Sequence, residues 1–428
     1  MKTVYRNFIL LDGTENMTPV KNKVLVTENG IISDITDKYD VGKNENVIDL
    51  GGRYLMPGLI NLHVHLPAGG KPSTTGGNTK LLVKIVTSSA VTRKIGVAMC
   101  KNYAMQELLS GVTTVRTVGG VGNFDTQLRD MINSGKTDGP RILASNNAIG
   151  PKDGHMVGSV AVEANTPEEC IEQVQKLAEQ KVDLVKIMIT GGVLDATVMG
   201  EPGVLKMAPE LVRAACDEAH KLGFKVAAHV ESAEGVRVAA ENGVDTVEHG
   251  APLDENTIQC LKNNGSAYIC TISPALPLAK FSRDVTEVSE MVQFNSNVVF
   301  EGIIEGTKNA LENDIPVGLG TDTGCPFVTH YNMWRELTYF QKYVGVTPEF
   351  ALYTATLKNA QIAGIADITG SIEVGKSADI LVTDTNPLEN FETIKQPYCV
   401  IMAGKRFQNP KIKKNEFGEK LLDEAMPE

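Results

Sequence analysis

The sequence predicts an α/β protein built as a (β/α)8 TIM barrel, with further β-structure supplied by the two ends of the chain. Three observations carry this reading. Eight short, near-continuous apolar runs lie between residues 58 and 322. Helix-like segments precede most of them. Hairpin-like runs occupy the first 57 residues and the tail. Strands buried on both faces read as continuous apolar runs, and their alternation with helices signals a parallel sheet. Eight such units point to closure into a barrel. The plain alternative is a doubly wound open sheet.

The elements follow in order. Phe8–Leu11, Val24–Val26, Ile31–Ile35 and Val47–Leu50 are short runs separated by turn signals such as Asp12-Gly13 and Asn29-Gly30. The eight barrel runs are Gly58–Leu66, Thr113–Gly119, Arg141–Ile149, Asp183–Thr190, Lys225–Val230, Asp245–His249, Ala267–Ser273 and Ile315–Asp322. Helices are expected over Glu168–Gln180, Ala208–Leu222 and Ala233–Asn242, with Gly223, Gly243 and Gly265 where C-caps are wanted. In the tail, Ser371–Val374, Gly375-Lys376 and Asp379–Thr383 read as strand, turn, strand. Gln396–Met402 before Ala403-Gly404 reads as another hairpin. Gly69–Gly77 is a loop after the first barrel strand, suited to a lid or an insertion.

Composition narrows the partners. The 428 residues are 42% apolar and 22% charged, a soluble globular mix long enough to bury a core without disulfides. Fifty-two acidic against 41 basic side chains give a net charge of −11, which argues against nucleic acid. No run approaches the roughly 20 apolar residues that span a bilayer, and the N-terminus has no signal-peptide pattern, so no membrane partner is expected. The seven cysteines are scattered without a C-x-x-C pair. Together these predict a cytoplasmic protein acting on a small molecule.

The chemistry sits at the ends of the runs. The first ends in His63-Val64-His65, the fifth at His229, the sixth at His249 and the eighth at Asp322. His63 and His65 are two apart on a strand, so they face the same side. One such histidine is more often a satisfied core residue than a ligand. Four histidines and an aspartate at equivalent ends of different strands are costly to bury unpaired, and a divalent metal relieves that cost. Lys186 lies inside the apolar strand Val185–Ile189. A buried ammonium near metal is repelled. Either it points outward into solvent, or it is chemically neutralised.

These residues form a recognisable set. Pro57-Gly58-Leu59-Ile60-Asn61-Leu62-His63-Val64-His65 resembles the signature of the amidohydrolase superfamily. The order that follows resembles it too: a strand lysine, two strand-end histidines, Gly320-Thr321-Asp322, and the tail stretch Gly370–Val382. The resemblance implies a barrel over 58–364 and a small β-sandwich domain made of 1–57 and 365–428. It implies two divalent metal ions, zinc foremost among Zn, Mn, Fe and Co. His63 and His65 would hold the more buried ion with Asp322, and His229 and His249 the more exposed one. Carbamylated Lys186 would bridge them. Hydrolysis would proceed through a hydroxide shared by the metals, with Asp322 moving the proton. The resemblance further implies a homo-oligomer.

Within the superfamily the chain resembles the prolidase or Xaa-Pro dipeptidase branch and its imidazolonepropionase-like neighbours. The stretches concerned are Gly111–Arg116, Gly154-His155 and Lys186 through Gly191-Gly192. This implies cleavage of an amide or peptide C–N bond in a dipeptide or N-acyl amino acid. There are departures. Thr117 stands where many relatives have Asp, and His229-Val230-Glu231 carries an acid where they have an aromatic residue. A pocket-facing Glu231 would favour a cationic or polar substrate group; its other reading is a solvated loop residue. His155, Arg116, His330 and Tyr331 are further candidates for substrate contact. Arg116 reads equally as half of a structural ion pair, and His220 as a solvated helix residue. The alternatives are hydrolysis of a cyclic amide or imidazolone, deamination, and a non-catalytic barrel. Deaminating relatives lack the bridging lysine, and a non-catalytic barrel would lack ligands.

Overall fold

The computed structural model describes residues 2–74 and 78–427. The sequence opens with four strands, β1 (Lys2–Leu10), β2 (Val24–Glu28), β3 (Ile31–Thr36) and β4 (Asn46–Pro57). Asn29 and Gly30 join β2 to β3, both with positive φ (51° and 84°). Such a pair matches the twist of a tight hairpin, and Asn and Gly are the residues that tolerate it.

Next come β5 (Leu59–Val64), the helices α1 (Thr79–Thr87) and α2 (Ala90–Leu109), β6 (Val112–Thr117), α3 (Phe124–Asn133), β7 (Arg141–Leu143), β8 (Ala148–Gly150) and β9 (Ala161–Glu163). Then α4 (Pro167–Glu179), β10 (Leu184–Met188), α5 (Pro209–Lys221), β11 (Lys225–Val230), α6 (Ala233–Glu241), β12 (Thr246–His249), α7 (Glu255–Asn264) and β13 (Ala267–Cys270) alternate, and helices over 275–312 lead to β14 (Val317–Leu319). The expected helices sit within a residue or two of their observed bounds, because their starts are marked locally. Thr166 and Ser232 each accept a hydrogen bond from a first-turn backbone N–H of α4 and α6, and α5 opens on Pro209. The three expected C-cap glycines all take positive φ.

The strands β14-β13-β12-β11-β10-β8-β9 form a seven-stranded sheet whose described pairs are all parallel. A second sheet has the order β5-β6-β7. Backbone bonds run onward from the eighth run to the first: Asp322 N donates to His63 O (2.9 Å) and His65 N to Thr323 O (2.8 Å). That continuity is what a closed barrel requires.

Three details differ from expectation. The run Arg141–Ile149 is not one strand but two, because Asn146 breaks it with φ +57° and ties its side chain to Thr126 and Gln180. β9 was not expected. Ser371–Val374 is not a strand either. Its polar groups are used locally, with Lys376 Nζ donating to Glu373 and to Ser371 Oγ.

The tail supplies β15 (Ile380–Thr383), β16 (Cys399–Met402) and β17 (Lys405–Gln408). These join the first four strands in one mixed sheet, ordered β17-β16-β15-β4-β1-β2-β3. Tyr5, Phe8, Leu25, Leu55, Ile380 and Ile401 share its buried core. Among the described residues the termini meet in this single sheet; the second layer of a sandwich is not seen. The chain divides into two compact units: 1–61, 105–115 and 331–413 in one, and 62–104, 116–330 and 414–428 in the other. All candidate metal ligands lie in the second. Among the described residues no helix is long and apolar enough to cross a membrane. Residues 75–77 of the glycine-rich loop lie outside the described residues.

Candidate metal centre

The strand ends converge as their spacing requires. Five of the seven histidines form a chain of ring contacts: His65–His63 (centroids 5.4 Å apart), His63–His249 (4.6 Å), His249–His229 (4.8 Å) and His229–His155 (4.2 Å, nearly parallel). Strand register sets this up. His229 pairs with Glu248 and Val230 with His249 across β11 and β12, so consecutive strands deliver their histidines at one level. Asp322 follows Gly320, where a Cβ would stand 2.4 Å from His63 Cβ. Only glycine allows the eighth run to approach the first so closely. His249 and Asp322 both hold left-handed backbone, φ +66° and +56°. Strain of this kind in non-glycine residues persists where surroundings enforce it, and gathers at functional sites.

Ligand atoms of His63, His249 and Asp322 all lie within 4.8 Å of one another. Each imidazole is aimed by a partner. His63 Nδ1 donates to Glu248 Oε2 (2.8 Å), and His65 Nδ1 to Gly119 O (2.8 Å). Carboxylate and carbonyl only accept, so these protons sit on Nδ1 and the Nε2 lone pairs face inward. Those lone pairs meet one oxygen: Asp322 Oδ1 is 3.4 Å from His63 Nε2 and 3.1 Å from His65 Nε2. That oxygen is buried and has no hydrogen-bond donor. Three acceptors converging out of solvent repel unless a cation lies among them. Burial, then the charge of Lys186, pushes His63 down to about 4, so a proton is a poor cation here. The donor set fits a divalent metal.

His249 Nδ1 bonds Thr271 Oγ1 (2.7 Å), and His229 Nε2 lies 3.3 Å from Gly191 O. Burial drives both imidazoles well below their usual pKa. Lys186 points inward: it is 1% exposed, and its Nζ has no hydrogen-bond partner. Burial lowers its pKa to about 8, with Glu248 and Asp322 opposing. The outward alternative for this lysine is gone.

Glu248 was missed by sequence reasoning. It is fully buried in β12 and accepts from Arg116, Thr246 and His63. Burial would raise its pKa, but the Arg116 guanidinium and the His63 contact hold it well below the carboxylate range. A signal was present. Arg116 and Glu248 are both charged residues inside apolar strands, and buried charges must pair. Arg116 therefore does not line a substrate pocket. Its guanidinium is spent on Leu62 O, Thr246 and Glu248, correcting the expectation of substrate contact.

The outer candidates divide. His155 lies in the loop after β8, stacked on His229. Its Nδ1 bonds Asp195, a second residue that sequence reasoning missed. Glu231 accepts from Val193 N (3.1 Å), and burial, then the Asp322 charge, raises it to about 8. It is partly accessible and borders a cavity of about 540 Å³ that Glu201, Glu234 and Pro252 also line. His330 and Tyr331, expected at the pocket mouth, are 1% and 4% exposed. His330 instead stacks on Tyr103 and bonds Ala68 O (2.7 Å), so its ring pins the loop after β5. His220 is a half-exposed residue of α5 paired with Asp245.

The comparisons with known proteins agree with this geometry. The chain is 25% identical to an ochratoxinase from Aspergillus niger over 92% of its length and 84% of that protein's. It is 24% identical to an imidazolonepropionase from Alkaliphilus metalliredigens, over 84% and 82%. A crystal structure of a candidate prolidase from Bifidobacterium longum superposes with a TM-score of 0.88 at 36% identity, covering 99% of this chain and 98% of that one. A Xaa-Pro dipeptidase with methionine bound in its active site gives 0.83 at 30%, over 95% and 100%. The model of the amidohydrolase family matches residues 54–406. With that match spanning both the histidine pair and Asp322, the chain belongs to the amidohydrolase family, hydrolases that act on carbon–nitrogen bonds.

Proposed function

We propose that this protein is a metal-dependent amidohydrolase that cleaves the amide or peptide C–N bond of a dipeptide or N-acyl amino acid. The observation that carries the reading is the convergence of two inward Nε2 lone pairs on an unpartnered, buried Asp322 oxygen. His63, His65 and Asp322 would hold one divalent ion, and His229 and His249 a second, zinc being the expected metal. When bound, the metals supply a water of lowered pKa and polarise the scissile carbonyl.

The chain's own residues do the rest. The Asp322 carboxylate would take a proton from the attacking water and return it to the leaving nitrogen. Glu248 and Gly119 O hold the inner imidazoles in the tautomer that turns the Nε2 lone pairs toward Asp322. Lys186 is a buried amine with a depressed pKa and no partner. Attack of its neutral Nζ on CO₂, with loss of one proton, would give a carbamate anion, a ligand that divalent metal accepts where an ammonium would be repelled. Glu231 and His155, at the outer edge, would select the substrate.

We place the catalytic domain over 58–364 as a closed barrel, with a composite domain of 1–57 and 365–428. A cytoplasmic location fits the described cysteines, all unpaired. A second reading, hydrolysis of a cyclic amide such as an imidazolone, draws on the imidazolonepropionase likeness.

The test is metal content of chelator-free protein beside Lys186→Ala, followed by a panel of dipeptides, N-acyl amino acids and cyclic amides. About two ions per chain, falling sharply in the variant, with turnover of the acyclic amides, is the expected result. One ion unchanged by the variant, or turnover confined to the cyclic substrates, overturns it.

A further inference from the structure

The C-terminal helix groups with the metal ligands and not with the mixed sheet that precedes it in the chain. Residues 414–428 belong to the unit that holds His63 and Asp322, while 331–413 belong to the other. The helix runs over Glu416–Glu424, and Asn415 caps it by accepting from Gly418 N (2.9 Å). It is amphipathic: Leu421, Leu422 and Ala425 share one apolar cluster, while the Lys420–Glu424 pair stands in solvent. In that cluster Leu422 is buried with Leu278, Phe281 and Phe327, and Val193, Val285 and Val288 pack against them. In the first turn of the helix, a Cβ at Gly418 would stand 3.3 Å from Pro72 Cβ. These contacts come from four segments that each follow a barrel strand. Pro72 follows β5, Val193 follows β10, residues 278–288 follow β13, and Phe327 follows β14. Segments after the strands form the reaction face of a barrel. β10 and β14 belong to the fourth and eighth runs, which stand opposite each other in a closed ring of eight. A cluster that holds both Val193 and Phe327 therefore spans the mouth, and the helix joins its two sides.

Both sides of that cluster lead directly into the candidate site. Val193 N donates to Glu231 Oε2 (3.1 Å). Phe327 lies in the turn that begins at Asp322, where Cys325 N donates to Asp322 O (3.2 Å) and Val328 N to Cys325 O (3.0 Å). Phe327 holds φ +67°, a conformation that a bulky residue keeps only where its surroundings enforce it. Its ring is edge-on to Phe281, with centroids 5.4 Å apart, and Leu422 packs in the same cluster. We infer that the C-terminal helix is a strap across the barrel mouth that limits how long a substrate the metal centre takes. This rests on the amide-hydrolase reading of that centre. With Val193 and Phe327 drawn together beside Glu231 and Asp322, a dipeptide or a short N-acyl amino acid fits beneath the strap, and a peptide that runs on past the scissile bond meets it. Leu422 acts through Val193 and Phe327 and is a positioning residue.

The test uses the full-length protein and three variants. Leu422→Asp puts a charge into the cluster and should lift the helix. Ala425→Asp does so from the half-buried margin, where the fold has less to lose. Leu422→Met keeps the packing and is the conservative partner. One readout is kcat/KM for an N-acetylated tetrapeptide relative to the dipeptide with the same C-terminal residue. That ratio should rise ~10-fold in both aspartate variants and stay at the wild-type value in Leu422→Met, with metal content unchanged. The other readout needs no substrate. Amide hydrogen exchange over 190–196 and 324–330 should quicken by ~10-fold or more in the aspartate variants alone, because local opening follows the loss of buried apolar contacts. Unchanged exchange in both aspartate variants overturns the inference. So does faster exchange with an equal fall in turnover of the short and long substrates, which makes the helix a structural support only. A wild type that cleaves no amide in the panel overturns the amide-hydrolase reading, and with it the length limit, whereas faster exchange in that protein would still keep the helix as a clamp on the two loops.

Discussion

The inner and outer halves of the candidate site are built differently. On the inner side, His63 and His65 are each fixed by a buried acceptor, and His63 is backed by the Glu248–Arg116 pair. On the outer side, His155 and Asp195 hold each other at 20% and 40% exposure, on loops. The inner side is held in one arrangement, because both imidazole Nδ1 protons are bonded to fixed acceptors. The outer side has freedom to differ between relatives. On the proposed function, metal chemistry would belong to the first, and substrate choice to the second.

The largest expected effect tests the innermost residue. Asp322→Asn removes the proposed proton carrier but keeps an oxygen able to ligate, so kcat should fall by ~10³-fold while most metal is retained. Steady-state kinetics with elemental analysis decide it. Near-normal kcat would end the proposed role.

Next is the buried pair. Arg116→Leu leaves Glu248 charged in the core without its guanidinium, a loss of about 3–5 kcal/mol. Urea unfolding of chelated wild type and variant measures this without interference from metal. An unchanged midpoint would mean that the pair is dispensable and that the inner side is no more rigid than the outer.

Glu248→Gln is milder for the fold but loosens His63. Metal affinity should drop 10–100-fold, as it does when second partners of ligating histidines are removed. Competition with a chromogenic chelator reads the change directly.

On the outer side, Asp195→Asn should leave metal content alone and alter KM or kcat by less than ~10-fold, because His155 loses its orienting acid but not its place on His229. A change in metal content instead would merge the two halves into one unit.

The smallest effect is in pH. Glu231 is raised above its unfolded value, from 4.5 to about 8, so the folded protein keeps a proton that the unfolded chain has released. The unfolded state binds fewer protons between those values, and stability contributed by this group declines as pH rises from about 4.5 to 8. In metal-free protein, Glu231→Gln should flatten that decline. Partial exposure discounts its size. Parallel pH profiles of wild type and variant would argue that Glu231 is solvated.

Much of this was legible beforehand. His63 and His65 share a face because strands have period two, and the strand-end positions of His229, His249 and Asp322 followed from the βα rhythm. The helices over 167–179, 209–221 and 233–241 were readable because caps and amphipathic spacing are local. Other features were not. The break at Asn146 depends on Thr126 and Gln180, which are distant in sequence. Arg116 and Glu248 are 132 residues apart, and neither announces which charge it meets. His330 looked like a pocket residue from its place after a strand, yet its ring turns to Tyr103 and Ala68.

The sequence by itself determined the family, the alternation of strands and helices, and which residue types stand at the strand ends. These rest on short-range periodicity and on motifs contiguous in the chain. Only the tertiary structure decided which way Lys186 points, which carboxylate aims His63, and that Arg116 serves the core and not a substrate. Those outcomes turn on pairing between buried groups far apart in the chain. The cost of leaving such a group unpaired is set by whatever the fold brings beside it.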